Sequence, residues 1–367
     1  MRAAVLFETN RPVEIRELEL QGPQPGEARI RVAASGICRS DLSVARATLR
    51  SPLPVVLGHE AAGIVEEVGE GVRTPRPGDR VVVSLSPECG ECLFCREGRP
   101  QFCVQMMPGM LNSTMLDGTT RLRLDGEPVY QLCGVASFAE QAVVSARACI
   151  PVPESVPLSR ACLLGCGVMT GVGAALNTAG LEAGMSVAVI GCGGVGLAAL
   201  QGARIGGATT RIAIDIDPTK LSLARELGAT HTVDAREDVP KQLRAIERLG
   251  VHVAIEAIGR TDTIETAWAI LRPGGVAVVI GMPAARERVS LRVSGFFQER
   301  RIRGCVYGSA HPHRDIPRLL EWVQKGDLRL DPLVSEELPL ERAAAALDAL
   351  ERGVGVRHVI VQPGIGG

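Results

Sequence analysis

The chain of 367 residues carries almost no excess of either charge. Its formal net charge is -1, and no run of like charges stands out. This excludes a nucleic-acid or membrane-surface partner held by electrostatics and points to a small substrate. Long apolar stretches are also missing: none reaches about 18 residues, and the N-terminus turns polar at once. Neither a spanning helix nor a secretion signal is read, and a soluble cytoplasmic protein is expected. Lysine occurs only at positions 220, 241 and 325. Aromatic residues make up 3% of the chain, which leaves few rings to narrow a pocket. No internal repeat or low-complexity segment is present.

Cysteine and glycine are well supplied. Eleven cysteines, an odd number without a secretion signal, favour thiol and metal chemistry over a disulfide framework. Cys89, Cys92, Cys95 and Cys103 have the dense spacing that lets four thiolates enclose one tetrahedral ion; a redox pair would leave two of them unused. Cys38, His59 and Cys166 form a second set. Spacing alone does not separate these three from buried core residues, but Glu60 and Asp41 place carboxylates beside them that can tune a metal and orient the imidazole. Four ligands close a zinc ion and hold structure, whereas three leave a corner where a substrate oxygen can be polarised. The other cysteines, Cys133, Cys149, Cys162, Cys192 and Cys305, read as small buried hydrophobes.

The length suits about two domains. Up to about residue 150, short β-branched runs at 29–34, 63–68, 78–83 and 143–145 are divided by Gly and Pro and read as strands. Pro151, Pro153 and Pro157 make a stiff connector. Apolar strands then alternate with helices: strands at 186–190, 211–216, 251–256 and 276–280, helices at 195–205 and 218–227. That alternation predicts parallel βαβ units. A helix at 340–352 and a strand at 356–361 close the chain as a return to the first domain.

The run Gly191-Cys192-Gly193-Gly194-Val195-Gly196 follows a strand and opens a helix. In that setting its glycines permit a tight turn and close approach of a pyrophosphate to a helix N-terminus. The next strand ends at Asp215, whose carboxylate can accept both ribose hydroxyls of an adenosine and repels a 2'-phosphate. NAD is therefore expected over NADP, with Lys220 flanking the same ribose.

Taken together, the chain resembles the zinc-containing medium-chain alcohol dehydrogenases over nearly its full length. The matching residues are Cys38-Arg39-Ser40-Asp41, Gly58-His59-Glu60, the four-cysteine lobe, Asp117 to Arg121, Gly165-Cys166-Gly167, the glycine loop, Asp215 and Ile258-Gly259-Arg260. The resemblance implies an α/β architecture with a GroES-like, partly open β-barrel catalytic domain (1–163 and 306–367, zinc lobe at 89–103) and a Rossmann doubly wound parallel-sheet domain (164–305), with the active site between them. It implies two zinc ions per chain: a catalytic one at Cys38, His59 and Cys166, with Glu60 counted in the set, and a structural one at the lobe. It further implies that Ser40 relays the substrate proton, that Thr170 and Val195 shape the nicotinamide face, that Arg39 and Arg357 meet the pyrophosphate, and that Ile258, Gly259, Arg260 and Ile280 line the dinucleotide. The stretch at 117–121 looks like the dimeric branch, so a homodimer is expected, with a homotetramer as the second choice.

Two departures shape the expected chemistry. The proton relay of many relatives ends in a histidine where this chain has Ser43, which cannot act as a base near neutral pH; proton exit through water is expected. Relatives often carry aromatic rings where Leu85 and Leu132 stand. By motif position Ser40, Leu49, Leu85, Leu132 and Met282 line the pocket, with Met106, Met107 or Met110 nearby, so a roomy apolar pocket for bulky primary, secondary or cyclic alcohols is expected. Three other readings compete. A thiol-adduct formaldehyde dehydrogenase is disfavoured because residues 42–57 offer no acid to grip a glutathione-like ammonium. A nucleic-acid zinc ribbon is disfavoured because no basic patch surrounds the lobe. A non-redox zinc protein on the same fold is disfavoured by the intact metal and glycine motifs.

Overall fold

A computed structural model describes residues 1–283 and 286–364. The chain forms two compact units, Met1–Cys166 with His311–Lys325 and Leu333–Gly367, and Gly167–Ala310 with Gly326–Pro332. The units therefore divide at Cys166/Gly167 and Ala310/His311, not at 163/164 and 305/306. The short segment 326–332 also returns to the second unit. The reason is local: Gln201 donates to the Arg329 carbonyl at 3.1 Å and accepts from its N–H at 2.8 Å, which docks that segment on the helix Gly194–Ile205.

In the first unit the strand Glu27–Gly36 is central, its apolar residues buried along nearly its whole length. It pairs antiparallel with Glu60–Val68, Gln141–Ser145 and Arg357–Val361 in a seven-stranded sheet. Register shifts at Arg29/Ile30 and Val32/Ala34 bend it, as bulges do when a sheet curls toward a barrel. A second, six-stranded sheet runs Glu14–Glu17, Arg2–Leu6, Val55–Val56, Glu127–Gln131, Leu122–Leu124, Glu19–Leu20. Cores rich in Val, Ile and Ala fill this unit, one around Ile30, Val65 and Val81, another around Leu6, Phe138 and Leu347.

The second unit has six parallel strands, Ser186–Ile190, Thr210–Asp215, His231–Asp234, Val251–Glu256, Leu271–Val279 and Arg301–Gly304. In chain order they lie 3-2-1-4-5-6, the doubly wound arrangement whose topological switch falls beside the first strand. Ser186–Ile190 is buried at every position, as a strand covered on both faces must be. Among the described residues no single helix is long and apolar enough to cross a membrane.

Candidate metal and dinucleotide sites

Strand pairing assembles the first metal set. Gly36 stands opposite Glu60 across the central ladder, so the residues just beyond one strand end and just before the other, Cys38 and His59, meet although 21 positions apart. Cys166 arrives from a short turn, Cys162–Gly165, whose carbonyl at Gly165 accepts from Leu85 N–H at 3.2 Å. Candidate ligand atoms of Cys38, His59, Glu60 and Cys166 all lie within 4.8 Å of one another, and all four residues are buried.

Asp41 organises this set. It sits in the first turn of the helix Arg39–Ala45 and is completely buried. Its carboxylate accepts from Cys38 N–H at 2.8 Å, Gly58 N–H at 2.9 Å and His59 Nδ1 at 3.1 Å. Holding Nδ1 leaves His59 Nε2 for a metal, which is how a carboxylate orients a ligating imidazole. On the far side Arg357 lies buried, its guanidinium 3.3 Å from Glu60 and donating to the Ile37 carbonyl at 3.1 Å.

The electrostatics of the four side chains favour a bound cation. The hydrogen bond from Cys166 holds the Cys38 thiol well below its usual range in spite of burial, and Cys166, as the donor, is pushed well above. Burial works against a charge on His59, but Asp41 and the two sulfurs outweigh it and raise the imidazole well above its ordinary value. Burial lifts Glu60 to about 7 against the pull of Arg357. Two sulfurs, an imidazole with a fixed tautomer and a carboxylate fit zinc by donor type and number.

The lobe supplies the second set. Cys89, Cys92, Cys95 and Cys103 also bring their sulfurs within 4.8 Å of one another. Backbone N–H groups point at them: Cys92 N–H reaches Cys89 Sγ at 3.3 Å and Cys89 N–H reaches Cys103 Sγ at 3.4 Å. Backbone hydrogen bonds lower Cys92 to about 6 and desolvation raises Cys95 to about 12. Four thiols at this spacing fit a closed zinc site. Of the remaining cysteines, burial pushes Cys133 up to about 11 and Cys149 to about 12, and raises Cys162, Cys192 and Cys305 as well.

In the second unit the residues expected at a dinucleotide gather at the C-terminal ends of the strands. A Cβ on Gly196 would stand 1.8 Å from the Gly191 carbonyl oxygen, whereas one on Gly193 meets nothing within 4 Å. Gly196 thus lets helix and loop close, and Gly193 faces open space. Asp215 accepts Cys192 N–H at 2.7 Å and Asp217 N–H at 2.9 Å, so its carboxylate is held beside the loop. Ile258 packs over Gly191, and Gly259 touches Gly281. Gly171, one residue past Thr170, lies against the Val195 carbonyl. Lys220 is half-buried on the helix Pro218–Glu226, and the exposed Arg260 pairs with Asp262 at 2.8 Å.

One residue was not legible beforehand. Glu256, fully buried at the end of its strand, accepts through Oε1 from Ile258 N–H, Gly259 N–H and the Thr263 hydroxyl at 2.8–2.9 Å, and through its carbonyl from Ile280 N–H at 2.8 Å. An acid ending an apolar strand just before Ile258-Gly259 is the signal that marks it.

The expected pocket residues separate. Ser40 Oγ is 4.0 Å from Cys38 Sγ, and Leu85 is tied to the Cys166 turn. Leu132 instead belongs to the core, with Leu49 packed against it. Met106 and Met110 line a cavity together with Cys133 and Thr114, while Met107 faces a different groove, lined by Phe94, Phe102 and Leu111. Met282 is 64% exposed in the second unit. Arg39 is exposed, whereas Arg357 is turned inward to Glu60.

Two known domain families match the chain. Residues 24–154 match the alcohol dehydrogenase GroES-like domain, and residues 194–325 match the zinc-binding dehydrogenase domain. An alcohol dehydrogenase zinc-binding domain protein from Burkholderia ambifaria is 36% identical, with a TM-score of 0.95 over 99% of this chain and 98% of its own. Benzyl alcohol dehydrogenase from Acinetobacter calcoaceticus is 31% identical, with a TM-score of 0.93 over 98% of both chains. A zinc-binding dehydrogenase from Sinorhizobium meliloti, solved with NADP, is 27% identical, with a TM-score of 0.82 over 98% of this chain and 99% of its own.

Proposed function

The chain belongs to the zinc-binding alcohol dehydrogenases of the medium-chain dehydrogenase/reductase family, and from that premise we propose that it transfers hydride between NAD and a bulky primary, secondary or cyclic alcohol and the matching aldehyde or ketone. The observation that carries this reading is the buried donor set of Cys38, His59 and Cys166 with its imidazole fixed by Asp41. These residues, with Glu60, would hold the catalytic zinc; Cys89, Cys92, Cys95 and Cys103 would hold a structural one. When bound, zinc supplies a Lewis acid that lowers the pKa of a hydroxyl or polarises a carbonyl.

The protein's own groups do the rest. Asp41 keeps the proton on His59 Nδ1. Arg357 offsets the charge of Glu60 beside the donor set. Ser40, adjacent to Cys38 Sγ, takes the substrate hydroxyl proton at Oγ and passes it on. Thr170 and Val195 flank the nicotinamide, and Asp215 binds the adenosine ribose. With Ser43 half-buried on the helix Arg39–Ala45 and no imidazole at that position, the proton leaves through water. Ser43→His is therefore expected to raise kcat/KM several-fold between pH 6 and 8 by adding a base in range; identical rates for the two proteins would discard the water route.

NAD preference rests on Asp215. Replacing it with alanine removes the ribose acceptor and the charge that opposes a 2'-phosphate. The ratio of kcat/KM for NAD over NADP is expected to fall at least roughly tenfold, the equivalent of about 1.4 kcal/mol. A wild-type protein that already prefers NADP, like a variant whose ratio stays put, would reverse the assignment.

For the alcohol, the 3% aromatic content of the chain and a relative named as a benzyl alcohol dehydrogenase favour a bulky substrate. An absorbance screen at the NADH band, with varied alcohols and carbonyl compounds and both dinucleotides, tests the reading directly. Ethanol as the best substrate by kcat/KM would refute the pocket argument, and an absence of turnover with any alcohol would refute the activity.

A further inference from the structure

The sequence of the second unit leaves one stretch unaccounted for: three consecutive residues, Tyr307, Gly308 and Ser309, with φ of 52°, 68° and 49°. Glycine takes that conformation freely, but a tyrosine and a serine do not, and such a run persists only where its surroundings over-determine it. The surroundings are a single short piece of chain. The helix Gly167–Gly173 continues as one widened turn, Ala174–Thr178, of the i to i+5 type, a device frequent at functional sites.

That turn grips the left-handed stretch at several points. Thr178 Oγ1 lies 2.9 Å from Ser309 Oγ and donates to Cys305 Sγ at 3.3 Å. Asn177 donates to the Gly308 carbonyl at 3.2 Å. Backbones also meet without side chains between them: a Cβ on Gly173 would stand 2.4 Å from Gly308 O, and one on Gly308 would stand 2.6 Å from Met169 O and 3.1 Å from Thr170 O. The stretch is therefore pressed onto the carbonyl face of Thr170. Thr178 itself is buried, 6% exposed, and its hydroxyl meets Ser309 at the end of the stretch and Cys305 two residues before its start.

We propose that Thr178 is a positioning residue: its hydroxyl clamps the left-handed turn Tyr307–Ser309 against the backbone of Thr170, and that turn fixes the nicotinamide half of the dinucleotide. The inference rests on the preceding reading, in which Thr170 faces the nicotinamide. It adds a residue without contact to the reacting atoms, acting through a strained turn. Loss of the clamp lets Tyr307 and Ser309 relax toward ordinary backbone angles and withdraws the wall behind Thr170. The adenosine half, held by Asp215 and the glycine loop, is untouched.

The test uses the zinc-loaded full chain and compares NADH with ADP-ribose, which lacks the nicotinamide, by calorimetric titration. In Thr178→Ala and in Ser309→Ala, NADH affinity is expected to fall roughly tenfold while ADP-ribose stays within about twofold, and Thr178→Ser is expected to recover wild-type NADH binding. Ser309→Ala reads the same contact from the turn's side should Thr178→Ala fail to fold. Unchanged NADH affinity in the folded variants overturns the proposal, as does an equal loss for both ligands, which marks a general loosening. If the wild-type chain binds neither ligand, the dinucleotide reading fails and takes this inference with it. If it binds both while the variants behave as wild type, only the inference fails.

Discussion

Turnover of a good alcohol by a Cys166→Ala variant is expected to fall by at least about 10³-fold, because the Lewis acid supplies several kcal/mol of the barrier reduction and each 1.36 kcal/mol is a factor of ten. The hydrogen bond between the two sulfurs holds Cys38 below and Cys166 above the usual thiol range, and both thiols must lose their protons to bind zinc. Alanine leaves one sulfur, one imidazole and the Glu60 carboxylate, a set that binds zinc far more weakly. The catalytic ion is therefore lost while the lobe, with its own four thiols, keeps its ion. With two zinc sites per chain, as proposed, metal analysis should find zinc reduced to about half the wild-type content, in step with the lost rate. Wild-type turnover in a variant with that reduced content would separate the metal from catalysis and end the proposed mechanism.

Gly196→Ala is the second large effect expected. The added methyl would stand 1.8 Å from the Gly191 carbonyl oxygen and 3.3 Å from Val189 Cγ1, and the first of these neighbours is backbone that cannot swing aside. Helix and loop must part, at a cost of roughly 2–4 kcal/mol in stability, and the pyrophosphate site parts with them. NADH affinity should drop by roughly a hundredfold or more, since about 2.7 kcal/mol corresponds to that factor. Gly193→Ala is the informative partner, because its methyl would meet nothing in the protein. It should melt like wild type and yet bind NADH poorly, the methyl intruding only on the ligand. Titration by NADH fluorescence and a thermal scan on both variants decide the matter. A Gly193→Ala protein with full affinity would show that no phosphate passes over the loop.

Much of this was legible in the residues because local chemistry and tertiary role agree. Ser186–Ile190 and Val251–Glu256 are mostly apolar runs ended by a glycine or an acid, and the sequence places both at their observed bounds. The four-cysteine lobe needs only its own short loop, so spacing suffices. Other features depend on partners remote in sequence. The edge strand Glu14–Glu17 reads E-I-R-E and is mostly exposed, giving no alternation to detect. The helix Pro312–Lys325 carries Pro317 in its interior, a residue that argues against helix when read alone. Leu132 occupies a pocket position by motif, yet it is buried in the same core cluster as Leu6, Leu57 and Phe138. Thr178 acts through hydrogen bonds to Cys305 and Ser309, more than a hundred residues on, which no periodicity encodes.

The opposition of Gly36 and Glu60 across the central ladder reaches beyond geometry. A strand displaced by one place turns each of its side chains to the other face, so any misregistered sheet carries Cys38 and His59 apart. Only a sheet zipped in this register brings the two side chains into one donor set. Folding of the sheet and the pairing of Cys38 with His59 are thus one event, and no slipped register can form the pair.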